Sequence, residues 1–321
     1  MKPKIIITRE ILPAGCEALS KKGYDLRMNS EDRAMSKEEI LGAIKDADAL
    51  LCMLNDPIDR DVILAGKELR VISTHAVGYN NIDLHAAKEK GIVVTNTPGV
   101  LTETTAETAF ALMIACARRI CESDRWLRTN TFRGWTPTMF LGMDLHKKTL
   151  GIIGLGRIGR AVAKRARFGF EMNIIYNDNA RDAAFEEEYS AAFASLEDLL
   201  RRSDFVSLHT PLNPSTHHLI GAHEFSLMKP TACLINTARG PVVDERALIA
   251  ALQEKTIFAA GLDVYEEEPF IPQELLALEN AVLLPHIGSA SIETRSKMSL
   301  MAAENIIAVL EGKEPHARVL V

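Results

Sequence analysis

The stretch KTLGIIGLGRIGRAVAKRARFGFEMNIIYND, residues 148–178, decides the fold of this chain. An apolar run leads into the glycine pattern GLGRIG at residues 154–159, a helical pattern follows, and a second apolar run ends at an acid, Asp178. A strand, a glycine-rich turn and a helix in this order place free backbone N–H groups and the positive end of the helix dipole at one point. Together with the acid, they predict a dinucleotide-binding unit.

Each glycine of the pattern has a separate physical role. We expect Gly154 to permit the tight turn off the strand, Gly156 to let backbone amides approach a pyrophosphate, and Gly159 to allow close packing of the helix. Asp178 closes the second strand, where it is placed to accept hydrogen bonds from a ribose diol. A 2'-phosphate at that position would face a carboxylate, so the residues favour NAD over NADP as the cofactor.

Length and composition set the broad class of the protein. At 321 residues the chain is longer than one ordinary domain, so two domains of about 100–200 residues are expected. An apolar content of 47% and a charged content of 25% are typical of a globular protein, and a net charge of −6 argues against a nucleic-acid partner. The chain opens directly into the apolar run KIIIT and has no long apolar run, so we expect a cytoplasmic protein without membrane contact.

Metal ligands and disulfides are not predicted. The five cysteines are scattered without CxxC spacing, which argues against both disulfides and a structural zinc. His217, His218 and His223 are close in sequence, but no acid or cysteine lies near them at ligand spacing. We therefore expect these histidines to lie on a solvated surface.

The order of apolar runs indicates an interrupted domain. Strand-like and helical stretches alternate before residue 100, which is typical of an α/β layer. A long helix is predicted from Thr104, and an amphipathic helix is predicted over 291–311, closed by Gly312. Because the last helix is free to pack back on the first layer, we predict one discontinuous domain from residues 1–99 and 290–321, and a dinucleotide-binding domain from residues 100–289.

Residues 123–147 fit neither pattern. Their periodicity is weak, and they carry both tryptophans of the chain, Trp126 and Trp135. Such a segment is either a loop folded back on its own domain or an arm that contacts a second subunit. We favour the arm.

Polar residues follow the apolar runs after residue 200. Ligands of an open parallel sheet bind beyond the carboxyl ends of its strands, so these residues should face the nicotinamide. Three of them suit hydride exchange between that ring and the carbonyl carbon of a 2-oxo acid: an arginine to clamp the carboxylate, a histidine to exchange the proton, and a carboxylate to orient the imidazole. The polar residues in question are Thr237, Arg239, Asp263, Glu268 and His286.

Each of these three residues has an ordinary structural alternative when it is considered alone. His286 follows a proline at a strand end, where a histidine is often a satisfied structural residue. Glu268 ends a run of three glutamates that could be a solvated acidic turn, and Arg239 could be a surface ion-pair partner. Position alone does not choose between these alternatives.

The chain nevertheless resembles the D-isomer-specific 2-hydroxyacid dehydrogenases. The segments that carry the resemblance are GLGRIGR, NTARGPVVDERALIAAL, GLDVYEEEP, PHIGSAS and HAVGYNNID, in an order that covers nearly the whole chain. The resemblance implies an α/β fold of two doubly wound parallel-sheet domains with a cleft between them. One would be a Rossmann NAD-binding domain and the other a flavodoxin-like substrate domain, and the family's dimers imply a homodimer through an arm at 123–147.

The resemblance also assigns residues to the site. It implies that Arg239, Glu268 and His286 are catalytic, and that Val77, Gly78, Arg239 and Gly288 bind the substrate. The cofactor-binding residues that it implies, together with those expected from the glycine pattern, are Gly154, Gly156, Arg157, Ile158, Gly159, Asp178, Pro211, Thr216, Thr237, Ala238, Asp263 and Gly288.

Within this family the chain looks most like the glyoxylate and hydroxypyruvate reductases, also called glycerate dehydrogenases. This likeness implies NADH-dependent reduction of glyoxylate or hydroxypyruvate to glycolate or D-glycerate. A pyruvate-type D-2-hydroxyacid dehydrogenase is an alternative. The 3-phosphoglycerate enzymes carry arginines where this chain has residues 53–55, Met-Leu-Asn, so a phosphate would lack its partner. A corepressor-like protein that binds NAD without catalysis is the alternative from another functional class.

Overall fold

The structure is a computed structural model that describes residues 2–320. Met1 and Val321, the outer limits of the predicted discontinuous domain, lie outside the described residues. The chain divides into two compact units. The first unit contains the residues up to Leu101 together with those from Ser289 onward, and the second unit is Thr102–Gly288.

The first unit is built on a five-stranded sheet in which all strands are parallel. The strand order β2-β1-β3-β4-β5 is that of a flavodoxin-like sheet, which confirms the predicted fold class for this unit. Its strands are β1 (Lys4–Ile7), β2 (Asp25–Met28), β3 (Ala49–Cys52), β4 (Val71–Thr74) and β5 (Val93–Thr95), and the helices between them are α1 (Pro13–Lys21), α2 (Lys37–Ala43), α3 (Arg60–Ala65) and α4 (Leu84–Glu89).

The second unit carries a seven-stranded parallel sheet in the order β12-β11-β10-β9-β6-β7-β8. This is the Rossmann order extended by one strand, and the order reverses between β6 and β9, where ligands bind in such sheets. The strands are β6 (Thr149–Ile153), β7 (Asn173–Asn177), β8 (Ala192–Phe193), β9 (Phe205–Leu208), β10 (Cys233–Asn236), β11 (Ala259–Leu262) and β12 (Ala281–Leu283). The helices are α5 (Thr102–Ala117), α6 (Ile120–Leu127), α7 (Arg157–Phe170), α8 (Ala183–Tyr189), α9 (Leu196–Arg202), α10 (Ala222–Leu227), α11 (Glu245–Gln253) and α12 (Gln273–Leu276).

Both faces of the second sheet are covered by helices. One core cluster contains Leu112 of α5 and Val162 of α7, and the other contains Leu199 of α9 and Leu248 of α11. Parallel strands buried on both faces read as continuous apolar runs rather than as alternating patterns. This is why most strands of this sheet could be recognised in the sequence.

The terminal helix α13 (Ile292–Leu310) belongs to the first unit. Ser291 caps it by accepting a hydrogen bond from Thr294 N (3.1 Å), and Gly312 follows it with a left-handed φ of 73°. The helix predicted over 291–311 is therefore confirmed. A Cβ on Gly15 would lie 2.5 Å from Ser299 O, so α1 and α13 pack closely because this residue is a glycine.

The segment after α5 is only partly regular. The helix predicted from Thr104 begins two residues earlier, at Thr102, and α6 extends into the segment 123–147, whose periodicity is weak. From Arg128 to Lys148 the chain forms no helix or strand. It then returns to the end of α5, where Met143 N donates to Ala117 O (2.8 Å). Within residues 2–320, no helix is both long enough and apolar enough to cross a bilayer.

Candidate active site

The glycine-rich turn joins β6 to α7. Gly154 has a left-handed φ of 92°, and a Cβ there would lie 2.8 Å from the backbone of His209. A Cβ on Gly159 would overlap Gly154 O, whereas a Cβ on Gly156 would meet nothing within 4 Å. Packing within the protein thus requires glycine at two positions, and the third borders open space that is suited to a ligand.

Asp178 lies beside this turn, directly after β7. Its Oδ2 accepts a hydrogen bond from Leu155 N (2.6 Å), and its Oδ1 accepts one from Asn179 N (2.6 Å). The two backbone bonds hold the carboxylate at the carboxyl end of the strand, where the ribose of a bound dinucleotide lies in this type of sheet.

Three buried polar atoms beyond β9 and β10 have no hydrogen-bond partner among the described residues. They are His209 Nδ1, Thr210 Oγ1 and Thr237 Oγ1. Burial lowers the pKa of His209 to about 3, so its ring is neutral, and its Nε2 lies 2.8 Å from Ser207 Oγ. Because a buried polar atom without a partner costs about 1–3 kcal/mol, these atoms indicate a place for a polar ligand. The residues present therefore fit a dinucleotide cofactor.

Histidine and glutamate meet at the carboxyl ends of β11 and β12. His286 Nδ1 donates to Glu268 Oε2 at 2.8 Å, and Glu268 Oε1 accepts a second hydrogen bond from Tyr265 N (3.0 Å). Tyr265 also donates its hydroxyl to Leu284 O (2.9 Å). The tyrosine thus connects the loop of the glutamate to the loop of the histidine, and the pair is held from both sides.

The charges around this pair favour an ionised glutamate. Burial alone raises the pKa of Glu268, but the hydrogen bond and charge of His286, the amide of Tyr265 and the charge of Arg239 outweigh it and hold that pKa below its usual value. Burial lowers the pKa of Arg239, and this effect exceeds that of the negative charge of Glu268, which raises the same pKa. Arg239 Nη1 donates to Ala238 O (2.7 Å).

Gly240 is a residue of this site that the sequence analysis did not identify. A Cβ at this position would overlap the backbone carbonyl of Tyr265. The turn that follows Arg239 and the turn that leads to Glu268 therefore approach each other more closely than any other residue type would permit. The glycine directly after the arginine, in ARGP, was the available signal.

Asp263 is buried and binds the loop that follows His286. It is only 1% exposed, its Oδ1 accepts from Ile287 N (2.7 Å) and its Oδ2 accepts from Gly288 N (2.7 Å). Burial raises the pKa of this carboxyl. Asp263 thus holds the loop that follows His286, a contact that the sequence analysis did not identify. A Cβ on Gly288 would lie 2.9 Å from Asp263 Oδ2, so this loop also depends on a glycine.

The remaining predicted residues lie on loops that follow strands or in the first turn of α7. Val77 and Gly78 follow β4 in the first unit, where Asn96 Nδ2 donates to Val77 O (2.8 Å). In the second unit, Thr216 Oγ1 donates to Pro211 O (2.6 Å). Arg157 and Ile158 form the first turn of α7, and Ala238 N donates to Asn236 Oδ1 (3.0 Å).

Comparison with known proteins identifies the family of this chain. Residues 110–288 match the model of the D-isomer specific 2-hydroxyacid dehydrogenase NAD binding domain. The chain is also 50% identical over 317 residues to a glyoxylate reductase of Korarchaeum cryptofilum, a match that covers 98% of this chain and 95% of that protein. The chain belongs to the D-isomer-specific 2-hydroxyacid dehydrogenases. This D-2-hydroxyacid dehydrogenase is therefore an oxidoreductase with a nicotinamide cofactor.

Solved structures of similar proteins agree with the fold of this dehydrogenase. The TT0316 protein of Thermus thermophilus is 43% identical with a TM-score of 0.93, and the match covers 99% of this chain and 100% of that one. An NADPH-dependent glyoxylate/hydroxypyruvate reductase of Sinorhizobium meliloti, solved with NADP and malonate, is 31% identical with a TM-score of 0.87. That match covers 99% of this chain and 97% of that one.

Proposed function

We propose that this dehydrogenase reduces glyoxylate or hydroxypyruvate to glycolate or D-glycerate with NADH. The observation that carries the proposal is the pair His286 Nδ1–Glu268 Oε2 at 2.8 Å, beyond the carboxyl ends of two sheet strands. The name of the relative from Korarchaeum cryptofilum and that of the reductase from Sinorhizobium meliloti support the choice of substrate.

The residues divide the chemistry among them. Glu268 binds Nδ1 of His286 and thereby orients the ring, which leaves Nε2 to donate a proton to the oxygen of the oxo acid. The guanidinium of Arg239 clamps the substrate carboxylate and polarises the neighbouring carbonyl. When bound, the reduced nicotinamide supplies the hydride for the carbonyl carbon. The amides of Val77 and Gly78 are proposed to bind the substrate carboxylate as well.

A panel of oxo acids tests this proposal. Steady-state oxidation of NADH and NADPH is followed with glyoxylate, hydroxypyruvate, pyruvate and 3-phosphohydroxypyruvate. We expect the highest kcat/KM with glyoxylate or hydroxypyruvate and NADH. A higher value with pyruvate or the phosphorylated acid would contradict the substrate assignment. Tight NADH binding without turnover of any oxo acid would instead favour an NAD-binding protein that is not an enzyme.

Asp178 is proposed to set the preference for NADH over NADPH. Asp178→Ala removes the carboxylate that would face a 2'-phosphate, so the ratio of kcat/KM for NADH to that for NADPH should fall at least about tenfold, or about 1.4 kcal/mol. Asn179→Ala is the matched control, since it keeps the backbone amide that binds Asp178. An unchanged ratio in Asp178→Ala would show that another residue selects the cofactor.

We also propose that the enzyme is a cytoplasmic homodimer with no nucleic-acid or membrane partner. Residues 123–147 support the dimer, because Trp135 is 81% and Leu141 62% exposed, and exposed aromatic and aliphatic groups of this kind are typical of interfaces. Sedimentation should give about twice the chain mass of 35.4 kDa, and Trp135→Asp should shift it toward one chain. If the wild type sediments with the mass of one chain, the dimer is contradicted. The proposed location is tested separately by fractionating a lysate, and activity in the membrane fraction would contradict a cytoplasmic enzyme.

A further inference from the structure

A cluster of three potential metal ligands lies on the surface of the second unit. His217, His218 and Glu266 each offer one ligand atom, and these atoms lie within 4.8 Å of one another. His218 Nε2 donates to Glu266 Oε1 at 2.6 Å, although the two residues are 48 positions apart in sequence. The acid that the sequence analysis did not find near the histidines is therefore supplied by a distant turn. His223, which is closer in sequence, is not part of the cluster.

The backbone of the histidine pair is held in place. His218 has a left-handed φ of 51°, which is uncommon for a residue with a side chain, and its N–H donates to Pro241 O (2.8 Å). Two residues later, Ile220 forms a bridge to Val243. The two imidazole rings lie 4.0 Å apart between centroids and 30° from parallel. Both rings are thus presented together on one side of the chain.

Glu266 is oriented by contacts at its other oxygen. Its Oε2 accepts a hydrogen bond from Glu245 N (3.1 Å), and its own N–H donates to Glu245 Oε1 (3.3 Å). This arrangement directs Oε1 toward His218. The side chains of His218 and Glu266 are 36% and 27% exposed, so an ion in solvent can reach them.

We propose that His217, His218 and Glu266 bind one divalent transition-metal ion of the zinc class. Two imidazole nitrogens and one carboxylate oxygen are a ligand set that Zn²⁺ prefers, with water completing a tetrahedron. Metal–ligand distances of about 2.0–2.1 Å place two tetrahedral ligands about 3.3 Å apart. His218 Nε2 and Glu266 Oε1 therefore need to separate by less than about 1 Å for an ion to replace the proton between them. Nearby Glu245 and Glu267 add negative charge that attracts the cation.

The proposed site is separate from the His286–Glu268 pair but shares a turn with it. Glu266 precedes Glu268 by two positions, and the turn contacts Gly240 through Tyr265. A bound ion would therefore tie the segment of His217 and His218 to the turn that carries Glu268. This connection predicts that the ion stabilises the fold as well as binding to it.

The experiment uses the full chain, stripped of metal with EDTA. Titration with ZnCl₂ by calorimetry should show one ion bound per chain, and Tm should rise with added Zn²⁺. Co²⁺ serves as the spectroscopic probe, and its d–d spectrum should appear without the thiolate charge-transfer band that cysteine ligands would give. His218→Ala and Glu266→Gln should each weaken Zn²⁺ binding at least about tenfold and abolish the rise in Tm.

Two further variants control the experiment. His223→Ala removes a histidine outside the cluster and should bind Zn²⁺ as the wild type does. His217→Ala removes the third proposed ligand and leaves Glu266 unchanged. If Glu266→Gln unfolds, the Zn²⁺ affinity of His217→Ala tests the proposal in its place. The proposal is overturned if no ion binds, if thiolate bands appear in the Co²⁺ spectrum, or if His217→Ala and His218→Ala bind Zn²⁺ as tightly as the wild type.

Discussion

His286→Ala should lower kcat for oxo-acid reduction by about 10²–10⁴-fold, the usual contribution of a positioned general acid. The variant removes the imidazole whose Nδ1 is bound to Glu268 and whose Nε2 is proposed to donate the proton. The dissociation constant of NADH should remain within about a factor of two of the wild-type value, because the glycine-rich turn and Asp178 are untouched. Stopped-flow single turnovers and NADH fluorescence titration measure the two quantities separately.

The companion and control variants make this result specific. Glu268→Gln keeps the shape of the partner but removes the carboxylate that accepts the hydrogen bond of Nδ1 and orients the ring, so kcat for oxo-acid reduction should fall while the variant still folds. His223→Ala removes an exposed histidine outside the site and should leave kcat unchanged. Retained turnover in His286→Ala would mean that the proton comes from another group.

Arg239→Ala should both raise KM for the oxo acid and lower kcat, each by about 10–100-fold. A clamp on the substrate carboxylate acts in the ground state and in the transition state, so both constants change. Arg239→Lys keeps the positive charge but loses the planar fork that binds a carboxylate through two hydrogen bonds, and it should recover only part of the loss. Steady-state kinetics with saturating NADH separates the two constants.

Arg246→Ala, at an exposed arginine of α11, is the matched control and should behave as the wild type. Thermal unfolding of Arg239→Ala is measured beside the kinetics, because burial lowers the pKa of this guanidinium and its removal also relieves a desolvated charge. The proposed role of Arg239 fails if KM is unchanged while kcat alone falls, since a carboxylate clamp must contribute to substrate binding.

Fold elements were predictable where burial leaves a strong pattern. The strands β6, β9 and β10 are fully or almost fully buried and read as apolar runs, so they could be recognised directly. The edge strand β2 has the sequence DLRM and no fully buried residue, and β8 is an exposed edge strand of two residues. Neither has the apolar pattern that reveals a strand, because an edge strand has less of its surface covered.

The candidate site could be predicted in its residue types but not in its contacts. A polar residue after an apolar run indicates the end of a strand. Arg239, Glu268 and His286 were predicted as site residues on this ground. Asp263 shows the limit of this reasoning. It also follows a strand, but the sequence did not reveal that its two carboxylate oxygens accept hydrogen bonds from the backbone N–H groups of Ile287 and Gly288.

The sequence by itself determined the glycine-rich unit, the acid at Asp178 and the residue types at the strand ends. These features depend on local backbone geometry and on the period of apolar residues, and both are determined by residues that are close together in the sequence. Only the tertiary structure decided which distant residues meet: His286 with Glu268, Gly240 with Tyr265, and His218 with Glu266. Such meetings depend on strand order, register and loop conformation, which arise from packing across the whole sheet and leave no local pattern.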